Sequence, residues 1–404
     1  MTSPVSPAVG DRRPDLDWIR VGAFFLLILY HVGMYYVPWG YHVKTAHPVE
    51  ALEPFMFLTN PWRLTLLFLV SGAATRFMAD KMSAGALTLA RVARLLPPLV
   101  LAVVLIVPPQ TYFQLIEAGQ GMSFGDFYRH YITASGHWKI DGAPLITPTY
   151  NHMWFVAYLF VYTMILAVVL AVAGGPLRRF GDGLAARLGT WGLLIAPFVW
   201  LAVSRLLLER TFGETHALID DWYVHAVSFT AFLFGFLIAK SDAVRQAFIR
   251  LRKPAAVGAA LTYAAWATFA WVYRGDYPIP PIGLRAVMVA VYAADQWLWI
   301  VAILGFGARY LTKGGPVLTY LTFAVFPFYL VHQTIIVVAA HMLAGAHLPQ
   351  GVEALVLIAT TFAGCFATYE VVRRVNVLRP WFGLKSLPKT VRAPVGVRLA
   401  EDVQ

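Results

Sequence analysis

Pro14-Asp15-Leu16-Asp17-Trp18-Ile19-Arg20-Val21-Gly22-Ala23-Phe24-Phe25-Leu26-Leu27-Ile28-Leu29-Tyr30-His31 decides the fold. From Ile19 to Pro38 the chain is apolar for about 20 residues, enough to cross a hydrocarbon core of roughly 30 Å as a helix. Only Arg20 and His31 interrupt it with ionisable groups. Eleven steps of about 100° bring those two within roughly 20° of one helical face, about 16 Å apart along the axis. Arg20 then sits at one mouth of the span, and His31 lies beyond its middle.

Nine more apolar spans follow, at 60–80, 95–113, 152–173, 190–208, 222–240, 255–273, 286–306, 316–343 and 352–372. The third, eighth and ninth have length to spare for a tilt or kink. Of 404 residues, 59% are hydrophobic and 13% charged, with a mean hydropathy of +0.64. A soluble domain carries about a quarter charged residues, so this composition excludes one; it excludes a disordered chain as well. The single cysteine excludes a disulfide framework. The expected fold is all-α: a polytopic membrane protein of about ten transmembrane helices.

The net charge of +11 invites a nucleic-acid reading until its placement is examined. With the N-terminus cytoplasmic, 23 Lys and Arg fall on the cytoplasmic side, six on the opposite side, and Arg20, Arg63 and Arg205 inside spans. The positive-inside rule therefore places both termini in the cytoplasm and turns the charge into a topology signal. No nucleic-acid partner is expected; the lipid bilayer is. The organisation reads as a cytoplasmic segment 1–18, a membrane domain 19–375 and a basic cytoplasmic tail 376–404. The first span is too long for the apolar core of a signal peptide and is expected to act as an uncleaved anchor. The long external connection, about 109–150, carries Tyr112, Phe113, Phe124, Phe127, Tyr128, Tyr131 and Trp138. It reads equally as a lid and as a helix lying at the interface.

Ionisable groups inside spans are costly and usually face a cavity or a partner. Arg20 also has a plain reading, as a flanking arginine that snorkels to the headgroups. His31 needs a hydrogen-bond partner, structural or catalytic. In Arg91-Val92-Ala93-Arg94, two guanidinium groups at i and i+3 share a face at the cytoplasmic boundary. They suit a multiply phosphorylated ligand and equally suit positive-inside anchoring. Pro97-Pro98 is expected to separate a short cytosolic turn from the span proper. His332 and Gln333 lie about 21 Å from the cytoplasmic end of the ninth span, close to the depth of His31 at about 18 Å. Asp295 falls near the midplane, where it would orient a histidine, counter a cation, or bond a neighbouring helix. His152 and Trp154 mark the external end of the fourth span, where a polar–aromatic collar is also ordinary. There is no HExxH, Walker A loop, GxGxxG or GxSxG, and no paired histidine spacing for a metal. No metal is expected.

With these features assembled, the chain resembles the acyltransferase-3 membrane family. Pro14 through His31 is similar to the family's opening motif, Phe68-Leu69-Val70-Ser71-Gly72 to its second-helix pattern, and Arg91-x-x-Arg94 to its third. His152-Met153-Trp154-Phe155 and Phe326-Pro327-Phe328-Tyr329-Leu330-Val331-His332-Gln333 resemble the branch that contains a glucan-modifying succinyltransferase. The resemblance covers most of residues 12–375 and implies a multi-pass protein of a bacterial-type inner membrane. It implies transfer of a short acyl group, succinyl or acetyl, from cytoplasmic acyl-CoA to a hydroxyl of an extracytoplasmic carbohydrate. In that frame Arg20, Arg91 and Arg94 hold the acyl-CoA and His31 is the base. Asp295, His332 or Gln333 orients the base or stabilises the oxyanion, and His152, Trp154 and Gln333 meet the acceptor. A proton-coupled transporter or flippase of an anionic or glycolipid substrate, with His31 and His332 as relay, remains the alternative, and a non-catalytic membrane scaffold or sensor the third reading.

Overall fold

The computed structural model describes residues 13–275 and 278–388, so most of the expected N-terminal segment and most of the basic tail lie outside the described residues. The described chain is helical almost throughout. In order the helices are α1 (Pro14–Tyr36), α2 (Glu53–Phe57), α3 (Arg63–Ala79), α4 (Ala84–Leu101), α5 (Pro108–Glu117), α6 (Phe124–Ile132) and α7 (Trp154–Ser204). They continue with α8 (Arg210–Phe212), α9 (Trp222–Ile238), α10 (Asp242–Val272), α11 (Ile282–Tyr310), α12 (Pro316–Ala344) and α13 (Gln350–Arg374). A two-residue hairpin, Lys139–Ile140 with Ala143–Pro144, is the only sheet among the described residues.

Among those residues, seven helical stretches are long and apolar enough to cross a membrane. This number differs from the ten expected for identifiable reasons. The fourth and fifth expected spans fall within one stretch, Asn151–Phe212, broken where Ala173 (φ −135°, ψ 30°) and Gly189 (φ 54°, ψ −167°) leave helical geometry. The second and sixth correspond to α3 and α9, each 17 residues long, near the lower limit of about 17–25 for a crossing helix.

Local chemistry sets the helix ends. Pro14 opens α1 with Asp15 and Asp17 in its first turn, where carboxylates favour the helix dipole. Ser83 and Ser241 cap α4 and α10 by accepting from the backbone N–H of Ala86 and Val244. The expected turn at Pro97-Pro98 is not formed: both prolines lie inside α4. Lacking N–H groups, they leave the carbonyls of Ala93 and Arg94 without their i+4 donors. The same rod continues through a π-helical turn, Ala102–Ile106, into α5.

That turn anchors the long connection between α5 and α7. The hydroxyls of Tyr131 and Tyr128 donate to the carbonyls of Val103 and Val104 at 3.0 and 3.1 Å. Phe127, Tyr131 and Leu115 are fully buried in one cluster, and Trp138 packs against it. The aromatic residues of this connection therefore build a small core of their own over the third span.

α1 packs against α12, α11 and α3, while α10 pairs with α11, α12 with α13, and α3 with α9. The α3–α9 contact explains the glycine of Phe68-Leu69-Val70-Ser71-Gly72. A Cβ on Gly72 would lie 1.8 Å from the Phe232 carbonyl oxygen, and one on Gly235 would lie 2.0 Å from that of Leu69. The two backbones touch through small residues, as is common between membrane helices. Gly72→Val is expected to destabilise the protein by about 3 kcal/mol, the upper part of the usual overpacking range. The check is thermal unfolding in detergent against Gly22→Val, whose added Cβ meets nothing within 4 Å.

Candidate functional site

The α1–α12 contact brings His31 and His332 together. Phe24 and Tyr329 seat the two helices edge to face at 5.4 Å. Farther along, the two imidazoles lie 5.0 Å apart and 20° from parallel. His31 Nδ1 is 2.8 Å from His332 Nε2, and His332 Nδ1 is 2.8 Å from the Tyr329 carbonyl oxygen. A carbonyl only accepts, so in the neutral pair His332 carries its proton on Nδ1 and accepts on Nε2. His31 must then donate from Nδ1, which leaves the lone pair of the chain on His31 Nε2. His332 has no exposed surface, whereas His31 keeps some.

A second chain of hydrogen bonds holds this pair from the side. His152, on the short turn Asn151–Met153 before α7, donates from Nε2 to the Leu330 carbonyl at 3.1 Å and accepts on Nδ1 from Gln110 at 3.3 Å. The Gln110 amide also donates to Thr334 Oγ1 at 2.7 Å. Its oxygen accepts from Asn151 and Gln333, each at 3.1 Å. Gln333 Nε2 donates again, to His42 Nε2 at 2.9 Å, and His42 Nδ1 donates to Gln114 Oε1 at 2.8 Å. The roles can be assigned without conflict: Gln333 donates toward both Gln110 and His42, and these donate onward to His152, Thr334 and Gln114, as a buried polar network requires.

Sequence reasoning missed Gln110, Gln114, His42 and Thr334. Gln110 was visible as an uncharged polar residue in an apolar span just after Pro108-Pro109. His42 sits in the loop after α1, where no periodicity marks it. Burial holds its imidazole below the ordinary 6.5, against a smaller opposing contribution from the bond to Gln114. Between the folded value and 6.5 the unfolded chain binds a proton that the folded chain refuses, so stability falls as pH drops through that window. Thermal unfolding from pH 7.5 to 5 is expected to show this acid-side loss, and His42→Gln is expected to reduce it.

Arg20, Arg91 and Arg94 line one cavity of about 110 Å³ with Ser71, Phe24 and Tyr329. Arg20 bonds Asp17 at 3.1 Å. Arg91, 7% exposed, donates to Thr75 Oγ1 at 2.6 Å, and its buried Nε has no partner among the described residues. Tyr329 and Phe24, which also line this cavity, stand one turn from His332 and two from His31 on their own helices.

Two expected site residues lie elsewhere. Asp295, fully buried, faces α10, where Thr262 donates to it at 3.5 Å. The face of α11 that carries it packs on α10, while α12 takes the place beside His31; Asp295 is therefore not a partner of that histidine. Trp154 stacks on His216 at 4.1 Å and lines a separate pocket with Asn60, Glu214 and Tyr223 rather than the histidine pair. No group of three or more metal-ligating side chains occurs among the described residues.

Residues 13–370 match the acyltransferase domain that defines the acyltransferase-3 family. The chain is similar to the Glucans biosynthesis protein C of Escherichia coli O81 (strain ED1a), with 22% identity over 346 residues, 81% of this chain and 83% of the relative. The protein of the same name from Escherichia coli O9:H4 (strain HS) matches with the same identity and coverage. No solved structure matches. With nearly its whole helical domain inside that match, the chain belongs to the acyltransferase-3 family and is a membrane acyltransferase.

Proposed function

We propose that the protein transfers a short acyl group, succinyl or acetyl, from cytoplasmic acyl-CoA to a hydroxyl of an extracytoplasmic carbohydrate. The chain crosses a bacterial inner membrane ten times with both termini in the cytoplasm. The two halves of α7, together with α3 and α9, supply the passes that length alone does not count, and the distribution of Lys and Arg supports the orientation. The observation that carries the reading is the directed hydrogen-bond chain ending in the lone pair of His31 Nε2.

Arg20, Arg91 and Arg94 take the CoA phosphates, and the pantetheine arm runs past Phe24 and Tyr329 toward His31. The acceptor hydroxyl attacks the thioester carbonyl while His31 Nε2 takes its proton. The resulting imidazolium is held by His332 Nε2, whose own Nδ1–H is tied to the Tyr329 carbonyl. The tetrahedral intermediate collapses, the C–S bond breaks, and the proton on His31 passes to the leaving thiolate, giving ester and free CoA. Tyr41, whose ring lies 18° from parallel with His31 at 6.4 Å and whose buried hydroxyl has no partner among the described residues, supplies a donor for charge developing at the carbonyl oxygen. The Gln110–Gln333–His152 network forms the outer wall that the acceptor meets.

The test is purified protein in lipid nanodiscs with radiolabelled succinyl-CoA or acetyl-CoA and a mixed glycan acceptor. Labelled glycan together with free CoA is the expected result. Glycan or glycolipid uptake by proteoliposomes with no thioester turnover would instead establish transport and overturn the reading.

A further inference from the structure

The chain does not leave the helix bundle where α13 ends. Residues 375–387 turn back as a strap that hydrogen bonds hold closed. Arg379 donates from Nη1 to the Arg373 carbonyl and from Nε to the Lys385 carbonyl, each at 2.6 Å. The Leu387 N–H donates to Asn376 Oδ1 at 2.7 Å. At the centre of the strap the short turn Pro380–Phe382 packs on α4 and α12 and is followed by Gly383 at φ 70° and ψ 18°. A Cβ on Gly383 would lie 2.6 Å from the Phe326 ring and 3.1 Å from the Arg94 carbonyl oxygen, so conformation and contact both call for glycine there. That carbonyl is one of the two that Pro97-Pro98 leaves without a helical donor, and the strap lands on it.

Arg94 and Phe326 both line the arginine-walled cavity, so the strap backs the wall of that cavity. At about 110 Å³ the cavity is smaller than the roughly 300–1,000 Å³ of a site that encloses a whole ligand. An acyl-CoA gripped there by its phosphates keeps its adenosine outside, against whatever borders the arginines. Burial accounts for Leu378, Phe382 and Leu384 of the strap, which pack into the cluster around Phe328 and Tyr369. It does not account for Trp381, 43% exposed, or for the exposed Lys385. We infer that the strap is the platform for the adenosine end of the donor, with the adenine base stacked on Trp381 and Lys385 beside the ribose phosphate. An indole face suits a purine, and an ammonium on backbone pinned by Arg379 suits a phosphate at a wet edge. Gly383 then does more than relieve a clash: it lets the strap sit close enough to Arg94 for one ligand to span both. The inference rests on the proposed donor, acyl-CoA. The ordinary role of an exposed tryptophan beside a membrane is an interfacial anchor, and the experiment separates the two.

Acetyl-CoA and S-acetyl-4′-phosphopantetheine, the same thioester without the 3′-phospho-AMP, are titrated into the full-length protein in lipid nanodiscs with no acceptor present. Trp381→Ala is expected to weaken acetyl-CoA binding by about 5- to 150-fold, the usual worth of one stacked base, and to leave binding of the truncated donor unchanged. Trp381→Phe, which keeps a ring to stack on, is expected to retain most of the affinity. Lys385→Gln is expected to weaken only the full donor, by a factor that shrinks as salt is raised. If Trp381→Ala weakens both donors by the same factor, the strap only props the cavity wall; if it weakens neither, Trp381 is an interfacial anchor; either result overturns the inference. Wild type binding the truncated donor as tightly as acetyl-CoA would also overturn it and leave the donor reading intact. If wild type binds neither, the donor reading itself fails and the inference falls with it.

Discussion

His31→Gln is expected to lower turnover of acyl-CoA with glycan acceptor by about 10²- to 10⁴-fold, the usual contribution of a general base. Acyl-CoA binding is expected to stay within experimental scatter of wild type. The asymmetry follows from geometry. His31 lies on α1 two turns from Phe24, the nearest residue on its own helix lining the arginine-walled cavity, so the substitution leaves that cavity intact. A glutamine amide nitrogen can donate to His332 Nε2 as His31 Nδ1 does at 2.8 Å, and the buried partner is not orphaned. What glutamine lacks is a basic nitrogen on its free side. Single-turnover kinetics with radiolabelled donor, alongside equilibrium binding of the same donor, separates the two quantities. Equal loss of binding and turnover would move His31 from proton transfer to donor recognition.

Much of this site was legible in the sequence because a helix converts residue number into depth. A rise of about 1.5 Å per residue placed His31 and His332 at similar heights in the bilayer, and the structure brings their rings to 5.0 Å. The same conversion put Arg20, Arg91 and Arg94 near one membrane face, and all three line one cavity. Rotation about the helix axis was not legible. Asp295 has a suitable depth, yet it points at Thr262 on α10, because hydropathy does not say which neighbour a face meets. Pro97-Pro98 misled for a related reason. A helix break is the usual consequence of two prolines, but in a membrane neighbouring helices and local π adjustments can re-satisfy the freed carbonyls, and the π turn Ala102–Ile106 follows within four residues. His42 was out of reach altogether, since a loop has no periodicity and its bond to Gln333 spans 291 residues of sequence.

Arg91→Gln is expected to weaken acyl-CoA binding by roughly 10- to 150-fold, the range for losing one hydrogen bond to a charged group, with turnover at saturating donor close to wild type. The structure argues against a folding defect as the cause. Arg91 donates to Thr75 Oγ1, but that hydroxyl has its own acceptor in the Ser71 carbonyl at 2.8 Å, so no buried donor is stranded. Three guanidinium groups around one cavity also repel each other in the absence of a ligand. Removing one is therefore expected to raise the unfolding temperature of the ligand-free protein while reducing the further rise on adding acyl-CoA. Dephospho-CoA thioesters, which lack the ribose 3′-phosphate, supply the partner measurement. If Arg91 grips that phosphate, wild type loses affinity for the dephospho donor and Arg91→Gln loses little more. If it grips the pyrophosphate, the two losses multiply. A variant whose ligand-free unfolding temperature falls, with donor affinity unchanged, would make Arg91 a strut between α4 and α3 and leave the phosphates to Arg20 and Arg94.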